Sequence, residues 1–183
     1  LYPFESKELE VPAGTMRYVD IGEGAPILML HGTPTWSFLY RDFIRDLSAD
    51  YRVIAPDHIG SGLSDKPTID SFGYTPPDHA ANVAAQLAAL GLKNFTLVVH
   101  DFGGPIGLPY ALDNPDNVRR IVVMNTWMWP LTGGTFAIST PLLGGPIGRF
   151  LYERTDFEFK VILPSVYADK AKLTPQIEAH YRG

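Results

Sequence analysis

The chain contains no cysteine, which excludes disulfides without deciding the compartment. No uninterrupted apolar run is long enough to span a bilayer, so no membrane partner is expected. The N-terminus lacks a basic segment followed by an apolar core. No signal peptide is therefore visible, although a processed one would leave no trace, and a cytoplasmic location is the expectation. Charge is modest: 15 Lys and Arg stand against 20 Asp and Glu, a net of −5. Nucleic acid is not an expected partner for such a surface. Internal repeats and low-complexity tracts are also missing. What remains is 183 residues, 45% of them hydrophobic, enough to bury a real core in one globular unit.

Taken in order, Glu8 to Val11 and Met16 to Ile21 read as strands joined at Pro12–Thr15. Ile27 to Leu30 is a continuous apolar run, hence a central strand, followed by His31-Gly32-Thr33-Pro34. From Trp36 to Leu47, Phe38, Leu39, Phe43, Ile44 and Leu47 fall near helical spacing. Tyr51 to Ala55 is another strand. The loop Pro56 to Pro67 carries Asp57, His58 and Asp65, without a recognised ligand spacing, so no metal is expected. Thr75-Pro76-Pro77-Asp78 opens a helix with a cap and first-turn prolines. Ala80, Val83, Ala84, Leu87 and Leu90 give it an apolar face that stops at Gly91, leaving His79 and Asn82 to solvent. Arg120 to Met124 reads as a further central strand. Beyond Pro130, Gly and Pro clusters at Gly133-Gly134 and Gly144-Gly145-Pro146 alternate with short helical stretches.

The stretch Asn94 to Leu108, N-F-T-L-V-V-H-D-F-G-G-P-I-G-L, organises the rest. Phe95 to Val99 is a short β-branched apolar strand. Gly103, Gly104 and Gly107 follow, and then an apolar helical pattern through Leu112. Strand, sharp turn and helix in that order form a nucleophile elbow. Its tip residue is Asp101, where the common G-x-S-x-G form has Ser, and Val99 stands in place of the first glycine. Aspartate is ionised at neutral pH, with a reference pKa of about 3.9. Its attack on an ester gains little. Its attack on a saturated carbon with a leaving group gives an enzyme ester that water then hydrolyses. The competing plain reading is a carboxylate that caps the following helix.

At these residues the chain resembles the haloalkane dehalogenases, which read H-D-W-G-G where this sequence has H-D-F-G-G. The resemblance continues in H-G-T-P-T-W-S-F-L-Y-R (His31–Arg41), A-P-D-H-I-G-S-G-L-S-D-K-P (Ala55–Pro67) and V-M-N-T-W-M-W-P (Val123–Pro130), across residues 1–130. It implies an α/β-hydrolase fold, a mostly parallel sheet flanked by helices. Residues 1–130 would be the N-terminal part of the core and 131–183 the start of a helical cap. It further implies Asp101 as nucleophile and the backbone N–H groups of Thr33 and Phe102 as the oxyanion hole. Trp36, Trp127 and Trp129 become candidates for a pocket. The implied substrate is a small organohalide or other small alkyl electrophile, with water and no cofactor.

Three departures matter. Phe102 has no side-chain donor where the family presents an indole N–H to the departing halide. Thr33 replaces the common Asn, and Asn125 stands where some members carry a catalytic Glu. An epoxide or β-lactone substrate therefore stays open, with Tyr152, Tyr167 and Tyr181 in the cap region. So does an inactive or ligand-binding role on the same scaffold. In this fold the order is nucleophile, acid, histidine, yet after Asp101 the sequence has only His180. The expectation is an N-terminal portion of a longer enzyme whose acid and base lie beyond Gly183. Ile121 to Met124 would then be an apolar sheet edge, covered by a further C-terminal segment or by self-association.

Overall fold

The computed structural model describes residues 1–130 and 144–182, without the side chains of Arg149 and Glu153. Gly133 and Gly134 lie outside the described residues. The chain divides into two units, Leu1–Met128 and Trp129–Gly183.

The first unit is built on one six-stranded sheet. Strands β1 (Lys7–Val11) and β2 (Gly14–Ile21) form a hairpin across Pro12-Ala13. β3 (Pro26–Leu30), β4 (Arg52–Pro56), β5 (Phe95–Asp101) and β6 (Val118–Thr126) complete it in the order β1-β2-β4-β3-β5-β6. The first two pairings are antiparallel and the others parallel. β4 lies on one side of β3 and β5 on the other, so strand order reverses at β3. The carboxyl ends of β3 and β5 flank the crevice where such sheets bind ligands.

The central strands are apolar throughout because both faces are covered. Leu28, Leu30, Ile54, Leu97 and Val99 face Val83 and Leu87 of α2 (Pro76–Ala89) and Ile106 and Ala111 of α3 (Gly103–Asp113). Their neighbours Ile27, Met29, Val53, Ala55 and Val98 point the other way, onto Tyr40 and onto Ile44 of α1 (Arg41–Leu47). Alternate residues thus serve alternate faces, as the pleat requires.

Three local expectations are corrected. The helical stretch after Trp36 begins as a 3₁₀ turn, Ser37–Tyr40, before α1. The tighter turn changes the angular step, and Phe43 ends 51% exposed instead of on the apolar face. In α2, His79 and Asn82 face inward, 9% and 1% exposed, with Gln86 at 1%. The His79 ring lies 5.0 Å from Phe72 and 5.5 Å from His58, and the Asn82 Oδ1 accepts the Ala13 N–H. Polar residues at this spacing look solvated until a hairpin and a loop close over them. Finally, among the described residues β6 is not a central strand but the edge of the sheet, with Ile121, Val122 and Val123 44%, 43% and 60% exposed, as the expected apolar edge at Ile121 to Met124 requires. Composition does not separate an apolar edge strand from a central one.

In the second unit, helices span Pro146–Thr155 and Pro175–Arg182, with a π turn at Glu158–Ile162 running into a short helix, Leu163–Val166. Arg182 bridges Glu178 at 2.7 Å and Asp156 at 3.3 Å. Among the described residues, no helix is long and apolar enough to cross a membrane.

Candidate active site

The β5–β6 ladder pairs His100 with Met124 and then Asp101 with Thr126, so Asn125 is an extra residue that bulges the partner strand. Asp101 and Asn125 both adopt positive φ, 50° and 41°. Asp and Asn tolerate this region better than most residues, and holding a side chain there costs about 1–3 kcal/mol unless the surroundings over-determine it. Here they do. The Asp101 carbonyl accepts the Thr126 hydroxyl at 2.5 Å. Two residues later the chain enters α3, packed so close to β3 that a Cβ on Gly103 would overlap the Leu30 carbonyl. A Cβ on Gly32 would likewise overlap the Asp101 side chain. These two glycines let the β3 loop and the elbow meet.

The meeting produces one defined contact: the Thr33 N–H donates to Asp101 Oδ1 at 3.0 Å. Phe102, the other expected oxyanion donor, is the N-cap residue of α3. Amides at a helix start have no partner inside the helix, and the positive end of its dipole favours an anion. Trp127 stands edge-on to Phe102, ring centroids 5.3 Å apart. Trp36 is buried, edge-on to Tyr2 and stacked on Phe38. Trp129 belongs to the second unit and is largely exposed.

Behind the contact is a group of buried histidines. His31 Nδ1–H donates to the Gly32 carbonyl at 3.0 Å, and His31 Nε2 accepts the His58 N–H at 3.0 Å. A carbonyl only accepts and an amide only donates, so His31 is neutral with its proton on Nδ1. His58 Nε2–H donates to the His31 carbonyl at 3.2 Å. Burial pushes His31 down to about 4, and pushes His58 well below the ordinary histidine range, aided by the neighbouring His31 and His79. Burial also lowers His79 to about 4. His100 is lowered by burial, against the opposing pull of the Asp101 charge. His31, with both ring nitrogens committed, is a scaffold histidine and not a general base.

The acidic residues of the loop after β4 act as backbone anchors. Asp57 Oδ1 accepts the Ser37 N–H and Oδ2 the Leu63 N–H, both at 2.9 Å. Burial raises its carboxyl while these hydrogen bonds oppose the rise. Asp65 Oδ2 accepts the Thr15 N–H at 2.8 Å. Among the described residues, no group of three or more His, Cys, Asp or Glu side chains is placed to hold a metal ion. Thr35 and Thr126 are not among the residues that the sequence marks, because a lone threonine carries no spacing signal. In the second unit, the Tyr152 ring lies 6.2 Å from that of Phe157, Tyr181 is buried, and His180 Nδ1–H donates to the Gln176 carbonyl at 2.8 Å.

Residues 25–142 match the family model for the alpha/beta hydrolase fold. Over 182 residues the chain is 37% identical to haloalkane dehalogenase 2 of Mycobacterium tuberculosis, covering all of this chain and 62% of that protein. It is 42% identical over 127 residues to the cis-3-alkyl-4-alkyloxetan-2-one decarboxylase of Shewanella oneidensis, covering 69% of this chain and 40% of the relative. The crystal structure of the haloalkane dehalogenase DatA from Agrobacterium tumefaciens C58 superposes with a TM-score of 0.83 at 32% identity, over 97% of this chain and 62% of that one. The chain thus spans less than two thirds of these relatives. With its sheet order, its strand–turn–helix elbow and these matches, the protein belongs to the α/β-hydrolase fold family, as a haloalkane dehalogenase-like member.

Proposed function

We propose that the whole protein is a hydrolase in which Asp101 attacks a saturated carbon, displaces halide from a small organohalide, and forms an alkyl ester that water then cleaves. The reading rests on one observation: a carboxylate at the elbow tip whose Oδ1 is held by the Thr33 N–H. That bond fixes the carboxyl rotamer and leaves Oδ2 as the attacking oxygen. When water later adds to the ester, negative charge develops on the carbonyl oxygen, and the N–H groups of Thr33 and Phe102 are the donors that receive it. In this reading Trp127, edge-on to Phe102, lines the space in which the substrate sits. The test is incubation with a reactive primary alkyl iodide, followed by peptide mass analysis. The alkyl mass should appear on the peptide containing Asp101 and vanish in Asp101→Asn. An adduct that persists in the Asn variant sinks the proposal.

A β-lactone substrate is the second reading. It is favoured by the likeness to an enzyme named for an oxetan-2-one, and by the absence of a polar side-chain hydrogen at Phe102 to stabilise a departing halide. In the lactone the leaving carboxylate stays attached to the substrate, so no separate anion has to be bound. Halide release, set against consumption of a 3,4-dialkyl-oxetan-2-one, separates the two.

A further inference from the structure

The Thr33 N–H belongs to the Gly32–Thr33 peptide, and the other end of that peptide is unusually well held. The Gly32 carbonyl receives three donors: the Thr35 hydroxyl at 2.7 Å, the Thr35 N–H at 2.9 Å and His31 Nδ1–H at 3.0 Å. A carbonyl oxygen has two lone pairs, so three donors saturate it. Because the peptide unit is planar, fixing the carbonyl fixes the direction of the N–H on its far side. Donors on the oxygen also polarise the amide, which strengthens its N–H as a donor. The third donor is itself locked, since the His58 N–H occupies His31 Nε2 and holds the proton on Nδ1. Thr35 and His31 are both buried, 9% and 1% exposed, so water does not compete for these bonds.

We infer that Thr35 is a positioning residue for the oxyanion donor: acting through the Gly32 carbonyl, with His31 as its second support, it aims and polarises the Thr33 N–H toward Asp101. This inference rests on the proposed role of Asp101 for its chemical consequence, but not for the geometry. It also gives the β4 loop a part in the site, since His58 holds the ring of His31.

The experiment compares Thr35→Val, which keeps the shape and removes the hydroxyl, with Thr35→Ser, which restores it. Two quantities are read: the Thr33 amide proton shift by NMR, and the rate at which the butyl ester formed on Asp101 by 1-iodobutane is hydrolysed. The Val variant should move the Thr33 amide upfield and slow hydrolysis of the Asp101 ester about tenfold, less than the 10²–10³ that follows outright loss of an oxyanion donor. The Ser variant should return both toward the parent, which a packing effect of the methyl group would not produce. A folded Val variant with an unchanged Thr33 amide and unchanged rate overturns the inference. If the Val variant does not fold, the unsubstituted protein decides: a slowly exchanging Thr35 hydroxyl proton coupled through its hydrogen bond to the Gly32 carbonyl carbon supports it, and absence of that coupling overturns it. A parent chain that is never alkylated at Asp101 defeats the proposed function alone, while the amide shift still judges the clamp.

Discussion

At the residue scale, the site depends on how closely two backbones approach. Gly32 has no room for a methyl group, because the Asp101 Cβ and Oδ1 already occupy that space. The obstruction is a Cβ fixed to the backbone, not the end of a flexible side chain, so it cannot swing aside. Gly32→Ala should therefore separate the Thr33 N–H from the carboxylate. A displacement of about 1 Å at a reacting group costs on the order of 100-fold, and Asp101 alkylation should fall by at least that factor while circular dichroism keeps its native shape. Alkylation within threefold of the parent would show that the elbow can retreat. Much of this was visible beforehand. Asp101 and its neighbouring glycines announced the turn, with the proposed nucleophile at its tip. The hydroxyls of Thr35 and Thr126 did not, since their importance comes from the carbonyls they reach, and a carbonyl has no letter in the sequence.

At the element scale, periodicity and end signals were reliable where one helix or strand decided its own fate. α2 is the clearest case. The Thr75 N–H donates to Asp78 Oδ2 at 3.0 Å, and the Asp78 N–H returns to Thr75 Oγ1 at 3.4 Å, completing a capping box. At the other end Gly91 takes φ 57°, and the Leu92 N–H reaches back to the Leu87 carbonyl at 3.0 Å. Removing the cap with Thr75→Ala should lower unfolding free energy by about 1 kcal/mol, measured by urea denaturation with an unchanged m-value. No loss in midpoint would mean that water replaces the cap at no cost. Legibility failed where a third element intervened. Nothing local told His79 and Asn82 that the β1–β2 turn and the β4 loop would cover them, or Phe43 that a 3₁₀ turn would shift its phase. The sheet position of β6 was equally out of reach of its own composition.

At the scale of the whole molecule, the buried histidines couple stability to pH. His31 and His79 are held near 4, and His58 is lowered too, against about 6.5 in an unfolded chain. Between those values the unfolded state binds more protons than the folded one. Their contribution is thus complete above pH 6.5 and is lost as pH falls through the lowered folded values, near 4 for His31 and His79. For His31 alone the loss amounts to about 3 kcal/mol. Urea midpoints should fall steeply between pH 6.5 and 4. Substitution of His79 by Phe, which suits its aromatic neighbours Phe72 and Tyr74, should flatten that slope. An unchanged slope would place the acid sensitivity in the carboxylates instead.

The edge position of β6 has a consequence in time as well as in space. The six described strands lie within the first 126 residues, so all of them have been synthesised while the ribosome is still adding the rest of this chain. At roughly 5–20 residues per second, synthesis up to Gly183 lasts about 3–11 s more. For that interval a nascent sheet would present Ile121, Val122 and Val123 to every other chain emerging nearby. Arg119 and Arg120, exposed at the start of the same strand, put two positive charges beside this apolar stretch. Two neighbouring polysomes bringing such edges together would first have to overcome that repulsion, so the pair acts as a gatekeeper against aggregation during translation.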